Sequence, residues 1–248
     1  MRSVKPADTP RTRAAEAGPI LRLKGVTRRY GPPESAVDAL VDVTLDIEPG
    51  AFVAIVGPSG CGKSTLLHLC GGMDRPTAGE VALGAERLDL IDEEHLTRVR
   101  RDLVGFVFQS FNLLPTLTTI ENIALPLLLA GVALPEAERR ASVLAEQVGV
   151  AHRLRQYPAQ LSGGEAQRTA IARAVVHQPA IVIADEPTGN LDSVNGERLL
   201  SLLRSLNVES GVTILLATHE AGLAATAERV IHLRDGRIER IDGRRASA

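Results

Sequence analysis

A strand-like apolar run that opens into a glycine-rich loop constrains this chain most. The run AFVAIVG starts at Ala51, and its last glycine begins the segment GPSGCGKST, Gly57 to Thr65. The segment matches G-x-x-x-x-G-K-[ST] in full, between a predicted buried strand and a predicted helix, which is the context that supports a phosphate-binding loop. A glycine-rich strand-to-helix turn without function is the alternative, and the complete pattern in this context argues against it.

The loop contains the residue types that a nucleoside triphosphate requires. Glycines let backbone N–H groups point inward at phosphate oxygens. Lys63 supplies a positive charge for the β- and γ-phosphates, and the Ser64 hydroxyl is placed to bind Mg²⁺. The residues predicted to contact the nucleotide here are Gly57, Ser59, Gly60, Cys61, Gly62, Lys63, Ser64 and Thr65. Cys61 is either an oxidation-sensitive thiol at a helix N-terminus or a small side chain that fills a variable position, and we favour the second interpretation.

The rest of the chain predicts an α/β fold around this loop. Apolar runs alternate with helical segments, which indicates a mostly parallel sheet, and Asp235-Gly236 between alternating runs predicts a type I′ hairpin. Strands are predicted at 20–30, 39–47, 51–57, 105–109, 180–184 and from 212, and helices at 63–69, 93–101, 122–150 with a break at 131–135, 164–177 and 196–206. We expect a P-loop NTPase core with an antiparallel β part near the N-terminus and an inserted helical lobe at about 110–165.

Composition limits the partners. The chain has 248 residues and a net charge of −2, so no overall basic footprint points to nucleic acid. Residues 1–18 lack the apolar core of a secretory signal and are expected to form a short disordered tail. No apolar stretch is long enough to span a bilayer, so a membrane role requires a partner. The domain proper is expected at 19–242.

Polar side chains follow three predicted strands. Asp185 and Glu186 end IVIADE, His219 ends LLATHE, and Gln109 follows GFVF. Ligands of open α/β sheets bind at the carboxyl edge, so Asp185 is a candidate Mg²⁺ ligand and Glu186 a candidate base that polarises the attacking water. Gln109 is a candidate Mg²⁺ ligand or water-orienting group, and His219 can reach a γ-phosphate. Taken singly, each of these residues is weak evidence for a site. A carboxylate pair at a strand end often only begins a solvated loop, and a lone histidine usually has no catalytic or binding role.

A second anion-binding pattern lies at LSGGE, Leu161 to Glu165, where Ser162, Gly163 and Gly164 precede a long helical run. With the residues above, in this order, the chain resembles the ATP-binding subunits of ABC transporters over roughly 20–241. The resemblance makes GPSGCGKST the Walker A loop, Gln109 the Q-loop glutamine, LSGGE the signature motif, IVIADE Walker B, NLD at Asn190–Asp192 part of the D-loop, and His219 the switch histidine. Glu165 stands where many members have Gln.

The resemblance also implies how the chain works. Tyr30 matches the aromatic residue that stacks on adenine, whereas from the residues alone it could be an ordinary strand-end tyrosine. The implied cofactors are ATP and Mg²⁺, with Asp192 among the nucleotide-site residues. Two copies form a head-to-tail homodimer in which Ser162–Gly164 of one subunit cap the γ-phosphate bound by the other, so each glycine motif completes the partner's site.

A narrower likeness lies in FQSFNLLPTLTTIENIALPLLLAG, from Phe108, and DEPTGNLDS, from Asp185. These segments resemble the lipoprotein-release, macrolide-efflux and cell-division branch, which implies a permease with a large extracytoplasmic domain and a location on the cytoplasmic face of the membrane. A docking surface for the permease is expected in 110–130. It would be formed by those apolar side chains of this segment that lie exposed, and the candidates are Phe111, Leu113, Leu114, Leu117 and Ile120. The alternatives are a soluble ABC ATPase in DNA repair or translation and a binding module without hydrolysis. The chain lacks a coiled-coil insertion and a second cassette, and it keeps Lys63, Glu186 and His219.

Overall fold

The computed structural model describes residues 18–189, 193–219, 221–224 and 226–243. The predicted tail therefore lies outside the described residues except for Gly18, and so do Asn190–Asp192 of the predicted D-loop. In the described ranges the chain forms a small antiparallel sheet, a larger mostly parallel sheet and helices on both faces of the latter. The predicted α/β class is confirmed.

The antiparallel sheet has the strand order β2-β1-β4-β5. Its strands are β1 (Leu21–Tyr30), β2 (Val37–Ile47), β4 (Ala78–Leu83) and β5 (Glu86–Arg87). The prediction of β1 and β2 is confirmed, although β2 begins two residues before the predicted Ala39. Strands β4 and β5 were not predicted. They are short, and β4 is defined by its pairing with β1 across more than fifty residues of chain, with Leu21 opposite Leu83.

The larger sheet has the order β10-β9-β3-β8-β7-β6. It contains β3 (Phe52–Val56), β6 (Val104–Phe108), β7 (Ile181–Asp185), β8 (Thr213–Ala217), β9 (Arg229–Arg234) and β10 (Arg237–Gly243). All neighbours are parallel except β9 and β10, which form the predicted hairpin. Asp235 and Gly236 have φ of 48° and 73°, as both central residues of a type I′ turn require.

The helices are α1 (Lys63–Cys70), α2 (Glu93–Leu103), α3 (Thr119–Leu129), α4 (Leu134–Gln147), α5 (Gly163–Val175), α6 (Ser193–Ser210) and α7 (Ala221–Ala224). Four predicted helix boundaries, the start of α3, the end of α4 and both ends of α6, were wrong by three or four residues. Helix α3 starts before the predicted Asn122 because Thr118 and Glu121 form a capping box. Helix α6 continues past the predicted Leu206 to Ser210, and Gly211 follows with φ of 71°, a usual stop signal.

The two faces of the larger sheet carry different helices. Alternate β7 residues Ile181 and Ile183 pack in one core with Leu66 and Leu67 of α1. The other alternate residues, Val182 and Ala184, pack in a second core with α5 and α6, which contribute among others Ile171 and Leu203. Because successive strand residues point to opposite faces, α1 and α5 lie on opposite faces of the sheet.

A third core joins α3 and α4 to α5. It includes Ile123 and Leu127 of α3, Ala141 of α4, and Ala172 and Val176 at the end of α5. Part of this packing lies beyond residue 165, where we predicted the end of the helical lobe, and the boundaries of that lobe stay a prediction. Among the residues that the structure describes, no helix combines the length and the apolar character needed to cross a bilayer.

Candidate active site

The glycine-rich loop connects β3 to α1, and two of its glycines have no room for a side chain. A Cβ on Gly57 would lie 2.2 Å from the Leu233 carbonyl oxygen of β9, and one on Gly62 would lie 2.4 Å from the Ala39 carbonyl oxygen of β2. Gly60 has open space around it but a φ of 77°, which favours glycine. The loop is therefore held by strands from both sheets in one backbone conformation.

The β9–β10 turn also supports this loop. The Gly236 N–H donates to the Cys61 carbonyl, and the Val41 N–H donates to the Gly236 carbonyl. Cys61 itself is buried, with its sulfur directly against Gly57. This burial supports our interpretation of Cys61 as a packing residue, because an oxidation-sensitive thiol must be accessible.

Lys63 is the first residue of α1, and its side chain is buried against the loop. Its Nζ donates to the carbonyl oxygens of Gly57, at 2.9 Å, and Pro58, at 3.1 Å. Its side chain is only 6% exposed, and Nζ lies 3.9 Å from Oε1 of Glu186. A buried ammonium group needs compensating partners, and the two carbonyls and this carboxylate supply them.

Three neighbouring strands bring the other predicted residues to the same edge. In the registers of β6, β7 and β8, Phe108 pairs with Asp185 and Asp185 pairs with Ala217. The residues that follow these strand ends are Gln109, Glu186 and, two positions after Ala217, His219. The predicted neighbourhood of the His219 and Asp185 strands is confirmed. Because β3 lies next to β8, the glycine-rich loop opens at this edge as well.

Glu186 lies at the centre of this edge. Its Oε2 is 3.4 Å from Nδ1 of His219, while its other oxygen faces Lys63. The Glu186 backbone has φ of 43°, an unusual value for a non-glycine residue, and its N–H donates to the Ala217 carbonyl. Strained backbone of this kind is concentrated at functional sites. The left-handed turn after β7 thus aims the carboxylate between the loop lysine and the histidine.

Asp185 has a buried carboxylate oxygen that the protein leaves unsatisfied. Its Oδ1 has negligible solvent exposure and no hydrogen-bond partner. A buried carboxylate oxygen of this kind is costly unless a donor or a cation satisfies it, so Asp185 fits a Mg²⁺ site. Within the described ranges, no group of three His, Cys, Asp or Glu residues could hold a metal by itself. A cation here would need other oxygen ligands, such as hydroxyl, amide and phosphate oxygens.

Gly189 was not singled out from the sequence, yet it makes room for Gln109. A Cβ on Gly189 would lie 2.7 Å from Nε2 of Gln109. The N–H of Gly189 donates to the Glu186 carbonyl, so the turn after β7 packs directly on the side chain that follows β6. Only its place in the segment DEPTGNLDS could have drawn attention to it.

Tyr30 lies at the end of β1, 38% exposed, within a small polar network. Its hydroxyl donates a 2.6 Å hydrogen bond to Asp74, and the guanidinium of Arg28 lies 4.4 Å from the centroid of its ring. Arg28 also pairs with Asp74 at 2.8 Å. Arg28 and Asp74 were missed from the sequence. Arg28 precedes Tyr30 by two residues on the same strand, which could have indicated it, whereas Asp74 carries no local signal.

The second glycine motif begins α5, as predicted. Ser162 is the N-cap, and its Oγ accepts from the Glu165 N–H while Oε2 of Glu165 accepts from Ser162 N and Oγ, both at 2.8 Å. This reciprocal pair is a capping box. It leaves the first turn of α5, with Gly163 and Gly164, as a helix N-terminus of the type that binds anions.

Comparison with known proteins decides the family. A family model described as "ABC transporter" matches residues 40–189. The chain belongs to the ABC transporter family. The ABC transporter ATP-binding protein MJ0796 of Methanocaldococcus jannaschii, described as uncharacterized, is 45% identical over 89% of this chain and 96% of its own length. A dimeric structure of MJ0796 in a post-hydrolysis state, bound to ADP and Pi, matches with a TM-score of 0.85 over 92% of this chain and all of that chain, at 43% identity.

The names of two further ABC relatives state the process in which each takes part. The lipoprotein-releasing system ATP-binding protein LolD of Legionella pneumophila is 46% identical over 88% of this chain and 96% of its own length. The macrolide export ATP-binding/permease protein MacB of Hyphomonas neptunium is 46% identical over 93% of this chain, which corresponds to 36% of the MacB length. The chain is an ABC-type ATPase, and the predicted resemblance to ABC ATP-binding subunits is confirmed.

Proposed function

We propose that this ABC ATPase hydrolyses ATP at two composite sites of a head-to-tail homodimer and thereby drives a permease of the lipoprotein-release and macrolide-efflux type. The observation that carries this proposal is the position of Glu186 between Lys63 and His219 at the carboxyl edge of the sheet. The binding-module alternative would not need this carboxylate, and the relatives support a role at a membrane over DNA repair or translation.

The residues of one subunit bind the triphosphate. Backbone N–H groups of the loop from Gly57 to Thr65 surround its oxygens, and Lys63 exchanges its carbonyl partners for the β- and γ-phosphates. Glu186 accepts a proton from the attacking water as the water oxygen forms its bond to the γ-phosphorus. The bond between that phosphorus and the β,γ-bridging oxygen breaks at the same time, and the products are ADP and inorganic phosphate. His219, whose Nδ1 faces Glu186, orients that carboxylate and reaches the γ-phosphate. Gln109, packed on Gly189, orients the water.

Mg²⁺ fits the same edge. Ser64 follows Lys63 in α1, Gln109 follows β6, and Asp185 presents its unsatisfied oxygen. We propose these three as the protein side of the Mg²⁺ site, directly or through water. Bound Mg²⁺ would act as a Lewis acid that neutralises the charge developing on the transferred phosphoryl group.

The adenine base stacks on Tyr30. Arg28 lies against the ring and Asp74 holds the hydroxyl, so the ring is fixed before the nucleotide arrives. A fixed aromatic platform adds affinity for any purine with little selectivity. The platform is therefore a source of affinity, and the phosphate contacts select the triphosphate.

The second subunit completes each site. Helices α1 and α5 start at glycine-rich turns but lie on opposite faces of the sheet, so we propose that one nucleotide does not use both turns of the same chain. In a head-to-tail pair, Ser162, Gly163 and Gly164 of one copy cap the γ-phosphate on the other copy's loop. The cassette MJ0796 has dimeric structures, one of them bound to ADP and Pi, which supports the proposal that this chain dimerises. Hydrolysis removes the γ-phosphate contacts and releases the pair.

A permease with an extracytoplasmic domain docks beside Gln109 and places the subunit on the cytoplasmic face of the membrane. A cleft of about 590 Å³ lies between α2, β6, α3 and α5, lined among others by Phe106, Phe108, Asn112, Leu129 and Arg173. Leu129 is 63% exposed at its rim. Such a cleft suits an amphipathic cytoplasmic helix of the permease.

The exposed patch that we predicted in 110–130 is smaller than expected. Of the five apolar residues named for it, only Leu114 is exposed, at 43%, and the other four are half-buried. Phe111 is held in place because its carbonyl accepts a hydrogen bond from Arg173 of α5. The apolar contact for the permease therefore comes chiefly from the cleft, with α3 as one wall.

Replacement of Glu186 by Gln tests the proposal. The variant keeps the shape of the side chain but cannot accept the proton, so we expect ATP binding with turnover reduced by about 10²–10⁴-fold. Size-exclusion chromatography with Mg-ATP should show a stable dimer for Glu186→Gln and a monomer with ADP. Full turnover in the variant would remove Glu186 as the base and with it the proposed mechanism.

A further inference from the structure

The signature turn of this chain carries a negative charge where it is proposed to meet a phosphate. Oε2 of Glu165 accepts from both the backbone N–H and the hydroxyl of Ser162, the residue that starts the turn. Glu165 is 8% exposed. A buried carboxylate next to a bound γ-phosphate would repel it and would also hold the proton that Ser162 could offer to the phosphate.

Arg153 offsets this charge from outside the motif. It ends the 3-10 turn Ala151–Arg153, and its Nε donates to Oε1 of Glu165 at 2.8 Å, the oxygen that Ser162 does not use. His152 reaches the same oxygen at 3.1 Å but is 59% exposed. The two oxygens thus divide their partners: one faces the signature serine, and the other faces a permanent positive charge.

We propose that Arg153 is a positioning residue for the partner subunit's ATP: it neutralises Glu165 so that the signature turn can accept the γ-phosphate bound by the other copy. Arg153 acts only through Glu165 and contacts no nucleotide of its own subunit. The inference rests on the proposed head-to-tail dimer and adds a residue that the signature motif does not contain.

We attribute the effect of Arg153 on the signature turn to its charge and not to its packing. A second substitution that removes the negative charge of Glu165 should therefore restore dimerisation in a protein without Arg153. In Glu165→Gln the amide oxygen can still accept from the Ser162 N–H, as the capping box allows for either residue. The turn then has no negative charge to neutralise, so Arg153 becomes dispensable. A role of Arg153 in packing alone would leave the protein without Arg153 defective whatever residue occupies position 165.

The experiment measures ATP-driven dimerisation in the Glu186→Gln protein, with Arg153→Ala, Glu165→Gln and the two together added to it. Size-exclusion chromatography across an Mg-ATP series gives the ATP concentration for half-maximal dimer, and binding of a fluorescent ATP analogue at protein concentrations too low for dimer formation gives the affinity of the monomer. We expect Arg153→Ala to raise the half-maximal concentration about tenfold or more, the double change to restore it, and the affinity of the monomer to stay unchanged throughout.

The possible results distinguish the proposed dimer from the proposed role of Arg153. A Glu186→Gln protein that stays monomeric with Mg-ATP would contradict the proposed dimer and this inference with it. A Glu186→Gln protein that dimerises equally well with Arg153→Ala, or a double variant as defective as Arg153→Ala alone, would overturn the role of Arg153 and leave the dimer intact.

Discussion

The hydroxyl of Tyr30 donates a 2.6 Å hydrogen bond to Oδ2 of Asp74. Because Asp74 also pairs with Arg28, whose guanidinium lies over the Tyr30 ring, the ring is bound at its edge and on one side. The three residues come from β1 and from the turn after α1, so the proposed adenine platform joins the antiparallel sheet to the segment that follows α1.

Truncation of Tyr30 should weaken nucleotide binding through the base alone. We expect Tyr30→Ala to cost about 1–3 kcal/mol of ATP affinity, by analogy with base stacking on aromatic side chains. Tyr30→Phe keeps the ring and loses only a hydrogen bond to Asp74 within the protein, so its cost in ATP affinity should be far smaller than that of Tyr30→Ala. Isothermal titration calorimetry measures both losses.

Tripolyphosphate provides the control for this prediction, because it has phosphates and no base. Its affinity should be the same in wild type, Tyr30→Ala and Tyr30→Phe. Equal losses of ATP affinity in the Ala and Phe variants would assign the effect to the hydroxyl and argue against stacking.

A charge at the rim of the cleft should separate coupling from catalysis. Leu129→Asp places a carboxylate where we propose that an apolar face of the permease packs, and burial of an unpaired charge there should cost about 2 kcal/mol or more of association. Basal ATPase of the isolated subunit should be unchanged, while co-purification with the permease and its stimulation of ATPase should fall at least tenfold.

Val208 offers a matched control for this experiment. It is 62% exposed on α6, against 63% for Leu129 on α3, and it does not line the cleft. Val208→Asp should leave the complex intact. If Leu129→Asp behaves like Val208→Asp, the permease binds elsewhere on the subunit.

Protonation of Glu165 at low pH should lower the free energy of unfolding. Its hydrogen bonds, first from Arg153 and then from Ser162, lower its pKa to about 2, whereas an unfolded glutamate titrates near 4.3. The ionised side chain therefore stabilises the folded chain above pH 4.3, and this contribution is lost as the pH falls from there to about 2. Denaturant titrations should show the free energy of unfolding of wild type falling by about 1–3 kcal/mol more than that of Glu165→Gln over this range. Parallel curves for the two proteins would contradict the shift.

The site residues that could be predicted from the sequence lie in short contiguous motifs. GPSGCGKST and IVIADE each combine an apolar strand with polar residues at its end, and parallel strands place such ends at one edge. The same logic placed Gln109 and His219 there. Signals of this kind are local, since they need only the strand period and the residue that follows.

The contacts that could not be predicted join residues far apart in the chain. Asp74 meets Tyr30 across 44 positions, Arg173 meets Phe111 across 62, and Gly189 packs on Gln109 across 80, without any periodic pattern to indicate the pairing. Strand β4 was missed for the same reason, because its pairing partner β1 defines it. Such features depend on tertiary packing, which overrides the weak preferences of short segments.

The central claim is that each ATP site takes its loop from one copy and its signature turn from the other. Lys63→Ala damages the loop and Ser162→Arg obstructs the turn, so each homodimer should be nearly inactive. In a mixed dimer of the two variants, both lesions fall in one composite site and the other site is intact. Mixing equal amounts with Mg-ATP should therefore restore ATPase activity, up to about a quarter of the wild-type rate, because half of the dimers are mixed at random pairing and each holds one of two sites. If the signature turn acted on the ATP of its own subunit, no intact site would form, and a mixture as inactive as its components would contradict the account.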